Sequence, residues 1–282
     1  MELEKLQELV PQVRRDILRM VHNVGSGHPG AALGCTELLV YLFFNEFELK
    51  DQFSMNGINE DLFFLSNGHL SAVLYSVLSR RGFFSIDELS TFRKINSRLQ
   101  GHPTTHEGLP GIRISSGSLG QGLSNSIGAC LAKKLNNDNR LVYCLTGDGE
   151  LQEGQNWEAI MYAGAKEVDN LIGIVDYNKK QIDGSISNVL DIGNLTEKFN
   201  AFGWDVVEVI EGNNLQSISE GMSLAKTKVL RGKPVFVILH TEMGNGVDFM
   251  MGTHAWHGKA PDDNQLKEAL SQNPETKGDY NF

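Results

Sequence analysis

LTGDGELQEGQNWEAI, residues 145–160, closes an apolar run and opens a polar turn. Residues 141–145 read as a strand, Gly147-Asp148-Gly149 as a sharp turn, and residues 156–165 as a helix. Glycine lets a backbone come close to a ligand, and a carboxylate held between two glycines points to a cation. The same residues also suit a tight strand-to-helix turn with Asp148 as its cap. The stretch alone leaves both readings open.

Composition narrows the field. The 282 residues carry 25 Lys and Arg against 35 Asp and Glu, a formal charge of −10. No dense basic run occurs, which argues against nucleic acid or an anionic membrane as a partner. The longest apolar run, residues 38–44, is far too short to span a bilayer. MELEKLQELV at the start is charged and amphipathic, unlike a secretion signal. Cys35, Cys130 and Cys144 lie far apart in apolar surroundings with no CxxC pair, as buried hydrophobes do in a reducing compartment. A cytoplasmic protein is expected.

Apolar spacing at Val13, Ile17, Met20, Val21 and Val24 predicts a helix over 12–24, with Pro11 in its first turn. A glycine-rich loop, GSGHPGAALG, follows, then an apolar helix from residue 36 to about 44. Residues 61–65 read as a strand ending at SNGH, with a helix over 70–79. Further strands are predicted at 171–176, 205–210 and 234–240, and a further helix at 215–230. Such alternation, with strands too apolar to face water, indicates an α/β fold: a mostly parallel sheet with helices on both faces. Residues 1–260 are expected to form that domain, and 261–282 a polar helix with a frayed tail. Ligands in such sheets bind outside the carboxyl ends of the strands, where Gly147-Asp148-Gly149 lies.

The strand at 171–176 runs into DYNKKQIDG. If it neighbours the strand at 141–145, Asn178 falls at the same rim as Asp148. A carboxylate, an amide oxygen and a main-chain carbonyl form a hard, all-oxygen set suited to Mg²⁺ or Ca²⁺. One carboxylate holds Mg²⁺ weakly, so ligand phosphate oxygens should complete the shell. The helix after residue 153 would point its N-terminus at them.

The GDG of GDGELQEG, followed after 28 residues by NKKQIDG, resembles the thiamine-diphosphate motif of transketolases. SGHPG at 26–30, LSNGH at 65–69, GHP at 101–103, GSLGQG at 117–122 and GTHAWHG at 252–258 match further family blocks in the same order. The resemblance implies that Asp148, Asn178 and the carbonyl of Lys180 ligate a divalent metal, Mg²⁺ with Ca²⁺ or Mn²⁺ as alternatives. It sets Gly149, His69 and His257 near the diphosphate, Ile182 beside the thiazolium, and Gly117 and Leu119 against the aminopyrimidine. His28, His102 and His257 would meet the sugar around its reactive carbonyl. Glu153 matches a glutamate that contacts the neighbouring protomer near the pyrimidine. His22, His106 and His240 fall outside the matched blocks and read as ordinary histidines; His254 lies beside His257 but is less diagnostic.

The resemblance covers only the N-terminal half of fused transketolases. Missing is the pyrimidine-binding domain, whose glutamate activates the cofactor. A split enzyme is therefore expected: this chain with a C-terminal transketolase subunit, two copies of each, moving a two-carbon ketol unit between sugar phosphates as in the pentose phosphate pathway. A truncated piece of a fused enzyme is the other explanation. The α subunit of a 2-oxoacid dehydrogenase and a non-catalytic cofactor-binding module remain alternative readings. Two departures from fused members stand out, Ser118 where many have proline and Arg113 where they often show an acid.

Overall fold

The computed structural model describes residues 2–50 and 52–281. Five strands form one parallel sheet: β1 (Leu62–Leu65), β2 (Val142–Gly147), β3 (Leu171–Tyr177), β6 (Asp205–Val209) and β7 (Val235–His240), in the order β1-β2-β3-β7-β6. A short antiparallel hairpin, β4 (Lys180–Gln181) with β5 (Gly184–Ser185), projects beyond the end of β3. Register sets the rim: Leu65 pairs with Leu145, Gly147 with Asp176, and Asp176 with Leu239. The loops leaving β1, β2, β3 and β7 therefore emerge side by side.

Alternate strand residues enter two different cores. Phe63, Leu65, Tyr143, Leu145, Ile172 and Ile174 face a core shared with α1 (Leu3–Asn23), α2 (Pro29–Gly34), α3 (Thr36–Tyr41) and α4 (Ser71–Arg80). Leu62, Phe64, Val142, Cys144, Leu171 and Val175 face the other, built with α5 (Gln121–Leu135) and α6 (Gly154–Ala165). Burial on both faces is why the strands read as unbroken apolar runs. Small helices α7 (Ile186–Val189) and α8 (Leu195–Ala201) follow β5, α9 (Leu215–Lys226) joins β6 to β7, and α10 (Asp263–Ser271) comes last. None of the helices in the described residues is long and apolar enough to cross a membrane.

Three local expectations change. The first helix starts nine residues earlier than predicted and contains Pro11 in its interior. Proline there forfeits a backbone bond and crowds the preceding turn. Leu6, Leu9 and Val10 nevertheless continue the buried stripe of Val13 and Ile17, and that burial keeps the helix in one piece. Helix α5 has no clear counterpart in the apolar pattern, because Ser, Asn, Gly and Ala occupy much of it.

Through residue 281 the tail is not frayed. Asp262 and Gln265 form a capping box on α10, and the residues beyond fold back onto α1. Asp279 accepts hydrogen bonds from Arg15 Nε (2.8 Å) and Nη2 (2.6 Å) and from Gln12 Nε2 (2.9 Å). The Arg15 guanidinium holds the Asp279 carboxyl below the usual carboxylate range. Its contribution is thus complete above the unfolded value of about 3.9 and is lost as pH falls through the lower native value. Asp279→Ala should cost about 1–3 kcal/mol at pH 7, a drop of several degrees in melting temperature. The gap from wild type should shrink near pH 3. Identical melting at pH 7 would show that the latch carries no stability.

Candidate active site

The loops leaving β1, β2, β3 and β7, with those at 26–30, 101–103 and 117–122, enclose a cleft of about 340 Å³. All twelve residues singled out from the sequence line it: His28, His69, His102, Gly117, Leu119, Asp148, Gly149, Glu153, Asn178, Lys180, Ile182 and His257. A larger, more open groove of about 990 Å³ runs alongside over the ends of β3, β6 and β7 and shares Asn178 and Lys180. It holds none of the four clustered histidines, so the smaller cleft is the candidate site. His22, His106, His240 and His254 lie outside that cleft.

The floor is acidic. Asp148 is 2% exposed at the end of β2, and its carboxylate accepts the amide of Gly149 at 2.7 Å and that of Lys179. Lys179 reaches it from a left-handed conformation (φ 62°) just past β3. Burial, and then the neighbouring Asp176, push the Asp148 carboxyl up to about 8. No lysine or arginine pairs with Asp148 among the described residues. A buried carboxylate supplied only with backbone N–H donors lacks a counter-charge, and a divalent cation fits that need. No three His, Cys, Asp or Glu side chains converge as a metal cage among the described residues, so ligand oxygens would have to complete any such shell.

Asp176, unnoticed in the sequence, orients the second proposed ligand. It accepts Asn178 Nδ2–H at 2.8 Å and the Thr241 hydroxyl. With Nδ2 committed to Asp176, Asn178 Oδ1 turns to the other side and accepts the Lys180 amide at 2.9 Å. Lys180 Nζ reaches Glu242 Oε1 at 2.7 Å, and the same oxygen accepts Gly252 N–H at 2.8 Å. This tie links the loop after β3 to the segment that carries His257.

Four histidines form the wall. Ring centroids lie 5.3 Å apart for His28 and His69, 5.7 Å for His28 and His257, 6.2 Å for His28 and His102, and 5.2 Å for His69 and His257. Each comes from a different loop, so only the fold brings them together. Burial lowers His28 to about 4, with help from His257, Arg93 and His102. Burial likewise lowers His69, His102 and His257. All four are therefore neutral imidazoles near pH 7, able to take a proton or donate one hydrogen bond each. Gly117 (φ 118°) passes so close to His102 that an added Cβ would stand 3.0 Å from its ring.

Two more residues were not singled out from the sequence. Arg93 Nη1 donates to Ser26 Oγ at 2.8 Å and Nη2 to Gly101 O at 3.4 Å, and no carboxylate pairs with it among the described residues. It is a half-buried cation beside His28 and His102, bearing spare donors. Asn67 lines the cleft fully buried, and its side-chain amide has no hydrogen-bond partner among the described residues. Such an orphan suits a polar ligand. Asn67 lies inside LSNGH, which offered a signal; Arg93 lies in an irregular loop that matches no family block. Arg113 faces elsewhere, pairing with Glu60 at 2.7 Å over the ring of Phe53. It shapes the 53–60 loop and leaves the cleft untouched.

Residues 6–278 match the family described as "Transketolase, thiamine diphosphate binding domain". The chain is 34% identical over 270 residues to one of the apulose-4-phosphate transketolase subunits of Actinobacillus succinogenes, covering 95% of this chain and 96% of that one. It is also 34% identical, over 95% of both, to a 6-deoxy-6-sulfo-D-fructose transketolase subunit of a Clostridium species. The crystal structure of Campylobacter jejuni transketolase superposes with a TM-score of 0.88 at 33% identity, covering 97% of this chain but 43% of that one. Sheet, cleft and sequence thus agree across nearly the whole chain, which belongs to the transketolase family as its thiamine-diphosphate-binding domain.

Proposed function

We propose that this chain is the diphosphate-binding subunit of a two-component transketolase. The observation that carries the reading is the single cleft shared by all twelve motif residues. The names of two relatives matched almost end to end support the two-component form, since both are called transketolase subunits. A C-terminal subunit with a pyrimidine-binding domain would complete the site, in an assembly of two copies of each in the cytoplasm. The wall of neutral imidazoles favours a transferase over a module that merely holds cofactor.

Asp148, Asn178 Oδ1 and the carbonyl of Lys180 would hold Mg²⁺, with Ca²⁺ or Mn²⁺ as substitutes, against the cofactor diphosphate. Gly149, His69 and His257 would face that diphosphate, Ile182 the thiazolium, and Gly117 and Leu119 the aminopyrimidine. Bound thiamine diphosphate supplies the electron sink for breaking and remaking a carbon–carbon bond beside a carbonyl. Around it, His28 and His102 accept and return hydroxyl protons of a ketose phosphate donor and an aldose phosphate acceptor. His257 and Arg93 place hydrogen-bond donors where oxygen gains charge. Exposed Glu153 stands at the edge where the partner's pyrimidine domain would close the cleft.

Reconstitution tests the reading. The purified chain, with cofactor and Mg²⁺, should give no ketol transfer from a ketose phosphate to an aldose phosphate. Adding the pyrimidine-domain subunit should restore turnover, and light scattering should give the mass of two copies of each. Full turnover by the single chain would refute the two-component form.

A further inference from the structure

Glu150 lies two residues after Asp148 on the cleft wall, yet its side-chain oxygens are committed to the scaffold. It is 2% exposed, and no lysine or arginine pairs with it among the described residues. Oε1 accepts Gly120 N–H at 2.8 Å together with the Ser66 hydroxyl, and Oε2 accepts Gly147 N–H at 3.0 Å. Ser66 Oγ in turn accepts Gly122 N–H at 3.0 Å. The approach is tight, because a Cβ on Gly122 would stand 2.3 Å from Ser66. One carboxylate thus gathers the end of β1, the end of β2 and the turn ahead of α5.

Those three loops present His69, Asp148, Gly149, Gly117 and Leu119 to the cleft. Burying a carboxylate without a cation is costly, and a leucine-sized apolar group would fill the space at lower cost. A leucine cannot accept donors from three separate chain segments. Charge-assisted bonds to backbone N–H groups are also the stronger kind and fix direction as well as distance.

We propose that Glu150, with Ser66 as its relay, is the positioning residue that presets the cofactor cleft. It registers the loops at 66–69, 117–122 and 147–149 against one another before any ligand arrives, so that less ordering is left for binding to supply. The inference rests on the cleft being the thiamine-diphosphate site.

Three variants test it. Glu150→Gln keeps the shape but replaces one acceptor oxygen by an NH₂ that faces a backbone donor. Ser66→Ala removes only the relay and leaves Gly122 N–H unpaired, which serves if Glu150→Gln fails to fold. Ile160→Val, a fully buried site on α6 away from the hub, is the control for simple loss of stability. Amide hydrogen exchange of the cofactor-free chain should speed up over 117–122 and 146–149 in Glu150→Gln and Ser66→Ala, and not in Ile160→Val. The dissociation constant for Mg²⁺-thiamine diphosphate, measured by calorimetry on the reconstituted assembly, should rise about tenfold in the first two. Exchange and affinity indistinguishable from Ile160→Val would overturn the proposal. If the wild-type assembly binds no cofactor, the functional reading falls, while the exchange comparison still decides whether Glu150 registers the loops.

Discussion

Asp148→Ala in the reconstituted assembly should weaken Mg²⁺-dependent binding of thiamine diphosphate by more than ~10²-fold, beyond the usual cost of losing an outer-shell partner of a metal. The reason is charge. Asp148 is the one carboxylate in the proposed ligand set, and it is buried with no cationic side chain to neutralise it. Asp176 cannot step in, because its oxygens are committed to Asn178 and Thr241. Asp148→Asn separates charge from shape: it retains the volume and one oxygen, and should lose nearly as much. Asn178→Ala should lose less, since a neutral ligand goes and the carboxylate remains. Titrating cofactor at fixed Mg²⁺ measures all three. Unchanged affinity in Asp148→Ala would remove the clamp assigned to the ends of β2 and β3.

His102→Ala and His28→Ala should each lower ketol transfer by ~10²-fold or more, the scale for losing a positioned acid–base group. Cofactor affinity should barely move, because neither residue belongs to the metal-site loops. Burial keeps the wild-type imidazoles unprotonated below the ordinary histidine value, His28 to about 4. The acid limb of the rate profile should therefore fall below pH 6.5 rather than at it, as groups that must accept protons become charged. Steady-state rates at saturating cofactor, with cofactor titrations alongside, separate the two roles. A variant that turns over normally once saturated, but binds cofactor poorly, would move that histidine from the sugar to the diphosphate.

Much of the fold is legible along the chain because burial on both faces of a parallel sheet leaves apolar runs that need no partner to be recognised. Residues 171–176 and 234–240 predict β3 and β7 to within a residue. Where local chemistry and tertiary burial disagree, reading fails. Pro11 argues for a helix start, and the buried stripe of Leu6, Leu9 and Val10 overrules it. The tail has the composition of a loose end, yet Arg15 and Gln12 hold Asp279 from more than 260 residues away.

The site divides in the same way. The twelve residues were found through motif order, with local chemistry explaining only the Asp148 and Asn178 rim. Arg93 lies in no matched block, and Asn67, Asp176 and Glu150, though they fall in or beside quoted motifs, act through what the fold sets beside them. Arg93 lies nine residues before His102, and its backbone N–H closes the intervening loop onto Leu99 O at 2.8 Å.

By itself the sequence determined the five strands of the parallel sheet and which chemical groups end up on loops at their ends, because periodicity and glycine placement act over a few residues. It could not determine that β3 lies between β2 and β7, since that order depends on how helices pack across two faces of the sheet. Nor could it make the four imidazoles neutral neighbours, or turn Asn178 Oδ1 away from Asp176. Desolvation and hydrogen-bond direction are sums over atoms that converge only when distant loops share one rim, so the electrostatics of the cleft belong to the tertiary structure alone.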